Sequence, residues 1–127
     1  MSQPVLLDSS FIIALEREAR NREMGPAQRF LRTLQGRRLV LSVVTVEEVL
    51  EGSKDRDAAF KALQHFTIQG LHAAHAQRCA VLQARSRRRM GENDGWLVAT
   101  AELLDADIVG DDRGAFERLG SRYRRFR

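Results

Sequence analysis

Short apolar runs, each followed by a longer stretch of helical periodicity, are what most limit the folds open to this chain. Pro4-Val5-Leu6-Leu7-Asp8 is too brief for a helix and opens with proline, so it reads as a buried strand. Ser9 or Ser10 can cap a helix running to about Arg20. After a loop from Asn21 to Gly25, Pro26 suits a first helical position, with Phe30, Leu31 and Leu34 as its apolar stripe and Gly36 as its end. Arg38-Leu39-Val40-Leu41 is a second strand. Ser42 caps a helix carrying Val46, Val49 and Leu50, which Gly52 stops. Asp57 to Phe66 reads as helix, Thr67-Ile68-Gln69 as a third strand, and Leu71 to about Arg88 as a long helix. Gly91-Glu92-Asn93 is a turn, with Asn93 capping a helix from Asp94 to Leu104. Asp107-Ile108-Val109-Gly110 is a fourth strand. A short helix through Phe116 and Leu119 follows, and Tyr123 to Arg127 supplies a last strand. Such alternation predicts an α/β three-layer sandwich: a central, mostly parallel sheet of four to five strands flanked by helices and joined by right-handed crossovers.

The chain has 127 residues, the size of one domain spanning 1–127. At that length roughly two thirds of the unfolded surface is buried, enough for a core without staples. Cys79 is the one cysteine, so no disulfide forms within the chain and a cysteine zinc cluster is excluded. Asp8 cuts the N-terminal apolar run and no basic residue precedes it, which does not match a secretory signal. No stretch approaches the ~20 apolar residues of a spanning helix. The expectation is a cytoplasmic protein with no membrane partner.

In an open parallel sheet, function gathers at the carboxyl ends of the strands. Asp8 ends the first strand, and Asp111 and Asp112 end the fourth. Asp94 opens a helix, and helix N-termini lie along the same edge. Glu48 sits inside the helix after the second strand, where a helical side chain leans back toward the N-terminus and glutamate has the length to reach the edge. Asp8, Glu48, Asp94 and Asp112 therefore converge on one rim. Clustered carboxylates repel and call for a cation. All-oxygen ligands select hard ions such as Mg²⁺ or Mn²⁺, which suit phosphodiester hydrolysis.

Each acid also has a plain structural role open to it. Asp8 can cap the first helix, and Glu48 can close a capping box with Thr45. Asp94 can be a first-turn acid favoured by the helix dipole, and Asp112 can cap the short final helix. Singly these roles are as good as the functional one; four such coincidences on one rim are harder to accept.

Four stretches carry a resemblance. Val5-Leu6-Leu7-Asp8-Ser9-Ser10, Ser42 through Gly52, Asn93 through Ala101, and Ile108 through Phe116 resemble, in order, the motifs of the PIN-domain family, especially its small VapC-type toxin ribonucleases. Each motif is weak alone; together they span nearly the whole chain. The resemblance implies a PIN-like fold with family acids on Asp8, Glu48, Asp94 and Asp112. It also implies a metal-dependent endoribonuclease, often a homodimer, neutralised by a cognate antitoxin. The chain departs from the pattern at three places. Gly110 stands where the family usually has threonine or serine, Gly95 replaces a commoner alanine, and Asp111 adds an acid that leaves metal ligation open.

Of the 21 cationic residues, 19 are arginine, and net charge is +4. Arginine forks onto phosphate, which makes a polyanionic partner plausible; a solvated arginine-rich surface explains the same composition. Arg85, Arg87, Arg88 and Arg89 form a basic run near Asp94, open to RNA backbone binding or to complementing a helix end. Ser10 is open to hydrogen bonding with a metal-bound water or a phosphate, whereas Ser9 reads as a cap. Arg118, Arg122, Arg124, Arg125 and Arg127 form a basic tail, RNA-binding or frayed. His72 and His75 read as surface histidines, and Cys79, Trp96 and Phe116 as packing residues.

Other α/β phosphate enzymes fit less well. A haloacid-dehalogenase-like phosphatase needs a second acid where Ser10 stands. A response-regulator receiver needs an acidic pair after the first strand and a late lysine, and a glycine-rich phosphate loop is missing. The alternatives retained are a housekeeping PIN nuclease and a catalytically idle RNA-binding or protein-interaction module.

Overall fold

The computed structural model describes residues 3–127, with the side chains of 115–118 outside the description. Five strands are joined by helices: β1 (Val5–Leu7), α1 (Ser9–Arg20), α2 (Pro26–Arg32), β2 (Leu39–Ser42), α3 (Val43–Glu51), α4 (Arg56–Leu63), β3 (Thr67–Gln69), α5 (Ala73–Arg85), α6 (Glu92–Leu104), β4 (Asp107–Gly110), α7 (Arg113–Phe116), a 3-10 segment (Glu117–Arg122) and β5 (Tyr123–Arg125). The sheet order is β3-β2-β1-β4-β5, and every pairing is parallel.

The apolar runs are continuous because both faces of the sheet are covered. Val5, Leu7, Leu41 and Val109 point into one core with Phe11, Ile12, Ala27, Val46 and Leu63 from α1 to α4. Leu6, Val40 and Ile108, one residue out of phase, point into a second core with Leu97, Val98 and Ala101 of α6 and with Met90. The two-residue period thus splits each short run between two layers of helix, as the three-layer expectation requires. Phe11 is fully buried, with edge-on rings on two sides: Phe126 at 5.0 Å and Phe30 at 6.2 Å. The contact with Phe126 ties the end of the chain to the first helix.

Local chemistry sets the helix starts. Ser42 is the last residue of β2 and also the cap of α3, accepting the Val44 N–H at 3.1 Å. Asp55 caps α4 through the Ala58 N–H at 3.1 Å. At α2, Gly25 has no capping side chain and Pro26 follows it. The orphan amides there are met from outside, by buried Glu18 of α1, which accepts the N–H groups of Ala27 and Gln28 at 3.0 and 2.8 Å.

Several expected boundaries move. The α5 helix stops at Arg85, not near Arg88, so Arg87, Arg88 and Arg89 lie in the non-helical segment that follows. Met90 is buried in the second core, and the Gln83 side chain takes both its N–H and its carbonyl, which turns the chain back. The α6 helix is capped at Gly91 rather than Asn93. His75 is buried rather than on the surface, and its Nδ1 accepts the His72 N–H at 3.0 Å at the start of α5. Cys79 is buried, as expected of a packing residue.

The side chains of Phe116 and Arg118 lie outside the described residues, but from Arg122 onward the basic tail is not frayed. The β5 strand pairs with β4 from Ile108 to Gly110, and the Phe126 N–H reaches the Gly110 carbonyl at 3.4 Å. Arg122 pairs with Asp105, Arg124 lies over the Phe30 ring, and Arg125 and Arg127 both pair with Asp111. No helix of the described residues is long and apolar enough to cross a membrane.

Candidate active site

The strand order reverses between β1 and β4. From β1 the chain moves outward through β2 and β3, then crosses over the other face and returns to β1's free side as β4. Such a switch point opens a crevice at the carboxyl ends of the two strands. Asp8 follows β1 there and Asp111 and Asp112 follow β4, with Asp8 N–H on the Val109 carbonyl at 2.9 Å.

Asp8 occupies the N-cap position of α1 and is only 8% exposed. Its Oδ2 accepts the Ser10 hydroxyl at 2.9 Å, and Ser10 Oγ in turn accepts the Asp111 N–H at 3.2 Å. Ser10 is thereby the link between the two strand ends, with its proton committed to Asp8. Burial raises the Asp8 pKa; the Ser10 hydroxyl and the nearby Ser9 and Ser10 amides pull it back, and Asp112 pushes it further up. Gly110 lies against this carboxylate: a Cβ there would stand 3.1 Å from both Asp8 Cβ and Oδ2. The absent side chain at this position therefore leaves β4 close to Asp8.

Glu48 reaches the rim from α3, half-buried. Burial raises its pKa, Asn93 and Ser9 hydrogen-bond to it and lower it, and Asp8 and Glu47 raise it. A capping box with Thr45 is ruled out as its explanation. Thr45 is fully buried and lies within α3, whose cap is Ser42. Asn93, read from the sequence as a cap, is instead a neighbour that steadies Glu48, and Ser9 is another. Their adjacency to Asp94 and Asp8 was the sequence signal for both.

Asp94 stands in the first turn of α6, where the helix dipole favours a charged carboxylate. The opposite outcome wins. Burial, then Asp112, Asp8 and Glu48, push its pKa up to about 6. The three other acids of the set are thus all felt at Asp94, and among the described residues no arginine, lysine or histidine acts on it in return. Asp112 is exposed, and its Oδ1 accepts the Gly114 N–H at 2.9 Å, so it does cap α7 as its simpler role required. Asp111 differs from the rest: Arg127 Nε donates to it at 2.7 Å and Arg125 lies at 3.6 Å, so its charge is already balanced.

Asp8, Glu48, Asp94 and Asp112 therefore meet at the crevice, where their charges act on one another. Among the described residues no three Asp, Glu, His or Cys side chains are close enough together to hold a metal ion as they stand. The donor set is nonetheless all carboxylate oxygen, the chemistry that suits a hard divalent cation. Arg87, Arg88 and Arg89 are exposed on the segment leading to α6. They lie beside this crevice in sequence, with no ion pair among the described residues.

Sequence comparison matches residues 5–121 to the model of the PIN domain. No curated protein is matched significantly in sequence. Solved structures with similar folds include a toxin-antitoxin complex from Klebsiella pneumoniae, at 21% identity over 97% of this chain and 98% of that one, with a TM-score of 0.81. VapBC-1 from nontypeable Haemophilus influenzae is 22% identical over 97% and 98% of the two chains, with a TM-score of 0.71. DNA-bound VapBC from Salmonella typhimurium is 16% identical over the whole of both chains, with a TM-score of 0.74. With a family model covering nearly all of its length and a parallel sheet that brings its acids to one switch point, this chain belongs to the PIN-domain family.

Proposed function

We propose that this protein is a Mg²⁺- or Mn²⁺-dependent endoribonuclease that cleaves single-stranded RNA in the cytoplasm, and that it is the toxin of a toxin-antitoxin pair. The observation that carries the reading is the gathering of four carboxylates at the switch point, with Asp94 pushed up to about 6 by burial and by the charges of the other three. Carboxylates gathered against one another in this way favour the binding of a cation. Asp8, Glu48, Asp94 and Asp112 would hold the metal. Asp111 is left out of that set because Arg125 and Arg127 already occupy it. A bound divalent ion supplies an activated water and charge stabilisation at the leaving oxygen.

The chain's own residues do the positioning. Ser10 holds one Asp8 oxygen and ties it to the Asp111 backbone, which sets the spacing of the two strand ends. Asn93 and Ser9 orient Glu48. Arg87, Arg88 and Arg89 offer guanidinium groups to the phosphates of the strand. The toxin role and a cognate antitoxin rest on the similarity to toxin-antitoxin complexes, and a homodimer on the family resemblance of the motifs.

Purified protein should cleave single-stranded RNA with Mg²⁺ or Mn²⁺ and fall silent with chelator. Cleavage that survives both chelator and Asp94→Asn would come from a contaminant and remove the support for this reading. A short DNA-binding antitoxin in the adjacent reading frame, able to slow cleavage, would match the toxin role; a monomer that ignores its neighbour's product would match a housekeeping nuclease.

A further inference from the structure

A cavity of about 430 Å³ lies between the C-terminal end of α5, the segment after it, and α6. Leu82, Met90 and Val98 give it an apolar wall, with Met90 and Val98 buried. Arg85, Arg87 and Arg88 also line it and are exposed, which makes them its rim. Glu102 is the one acid in the lining, and Arg78 already holds it through a hydrogen bond and ion pair. No described acid pairs with the three rim arginines. The rim is therefore a set of unanswered positive charges around an apolar slot.

The slot is fixed in place. Gln83 holds Met90 by both backbone groups, at 2.9 and 3.2 Å, so the arginine segment is pinned at its end. It is also aligned with the carboxylates. Asp94, Val98 and Glu102 recur at intervals of four along one side of α6, and Val98 stands about 6 Å along the helix axis from Asp94. The row that walls the cavity thus leads up to the acid.

We propose that this cavity receives one unpaired nucleobase of a single-stranded RNA, while the flanking phosphates lie on Arg85, Arg87 and Arg88. The substrate class rests on the nuclease reading above. The volume is within the ~300–1,000 Å³ range of small-ligand pockets. A splayed-out base presents a flat apolar face, and its neighbouring phosphates match forked arginines. An acidic, apolar peptide meets the same local chemistry, but only a strand with its scissile bond at the rim needs a slot in line with Asp94.

The test uses a short single-stranded oligoribonucleotide with 2′-O-methyl sugars and phosphorothioate linkages, with chelator at low salt, beside versions abasic at one position each. Methionine methyl labelling reports Met90 in the cavity wall and Met24, which is exposed and far along the chain, as a control. The intact strand should shift Met90 and leave Met24 alone. One abasic position should lose about tenfold in affinity and leave Met90 unshifted, with the other positions much less affected. Arg87→Gln with Arg88→Gln, both exposed and safe for folding, should flatten the salt slope by about 1.4. Leu82→Trp should fill the slot and abolish the abasic discrimination; the arginine variants and the Met90 signal decide the matter if that variant does not fold.

Equal binding of all abasic strands, a silent Met90 on a bound strand, or no binding at low salt would overturn the proposal. So would polyglutamate shifting Met90 where the strand does not, which would assign the cavity to an acidic protein. Base discrimination without any metal-dependent cleavage would sink the nuclease reading alone, and cleavage without base discrimination would sink the cavity alone.

Discussion

Asp8 and Asp111 are joined through a single hydroxyl: Ser10 Oγ donates to Asp8 Oδ2 at 2.9 Å and accepts the Asp111 N–H at 3.2 Å. One small side chain thereby sets both the orientation of the most buried acid of the site and the spacing of β1 and β4 at the crevice. Asp111 contributes its backbone to this link and its side chain to the C-terminal arginines. It braces the rim from the outside.

Removing that hydroxyl should therefore act on the metal site before it acts on the fold. Ser10→Ala leaves Asp8 buried with one partner fewer, so its pKa climbs further and its charged form becomes harder to recruit. The loss of a hydrogen bond to a buried carboxylate is worth about 1.5–3 kcal/mol, which should appear as a shift of the Mn²⁺ titration of cleavage to higher concentration. Ser10→Thr should keep most of the function. A Mn²⁺ titration of activity that is the same for Ser10→Ala and the parent would remove the hydroxyl from the mechanism.

Asp94 gives a pH signature in the metal-free protein. Its folded pKa of about 6 lies above the unfolded value near 4, so the folded state holds the extra proton between those limits. Its charge is a penalty on folding that is fully present above about pH 6. Stability should rise as pH falls through 6 and level off near ~4. In chelator at pH 8, Asp94→Asn should melt no lower than the parent, and the gap should narrow at pH 5. Mn²⁺ should raise the parent's melting point more than the variant's. A variant that melts clearly lower at pH 8 without metal would make Asp94 a structural helix-start residue.

His75 carries the opposite slope. Burial, then the neighbouring His72, lower its pKa, and its Nδ1 is occupied by the His72 N–H. The unfolded chain takes up this proton first as pH drops below the ordinary value of about 6.5. The contribution is thus whole above that value and is lost as pH falls toward the lowered folded pKa. His75→Gln should flatten this part of the stability profile while lowering stability at pH 8. NMR titration of the imidazole is the direct check, and a midpoint at or above 6.5 would contradict the structure.

The start of α2 depends on a side chain from another helix. Glu18→Gln keeps the shape but turns one acceptor into a donor facing an amide, and should cost about 1–3 kcal/mol in denaturant melts. At Gly25 an added Cβ would stand 2.4 Å from Glu18 Cδ, so Gly25→Ala must push the capping carboxylate aside. A loss of about 1–3 kcal/mol is expected there as well. The double variant should lose less than the sum, because both changes break the same contact. Full additivity would show that the cap is not shared.

The amino-acid sequence by itself determined the elements and the rim. Continuous apolar runs can be satisfied in a parallel sheet covered on both faces. Residues such as Ser42 and Asp55 start helices by bonding amides only two or three residues away. That is local chemistry: the Ser42 cap was legible, as was the placing of Asp8 and Asp112 at strand ends, while Asp55 starts α4 ahead of the Asp57 start that the sequence suggested. Tertiary structure decided what depends on groups distant in sequence. Propensity alone carries α5 on to Arg88, yet burial of Met90 and its clamp by Gln83 end the helix at Arg85 and set the arginines on the cavity rim. Periodicity placed His75 on a surface that the fold buries. A last strand was legible in the tail, but whether its arginines were frayed or free for RNA was open until the fold set Arg125 and Arg127 on Asp111. The pKa of Asp94 belongs to this second kind too, since it is set by burial and by three carboxylates brought close only when β1, β4, α3 and α6 pack together.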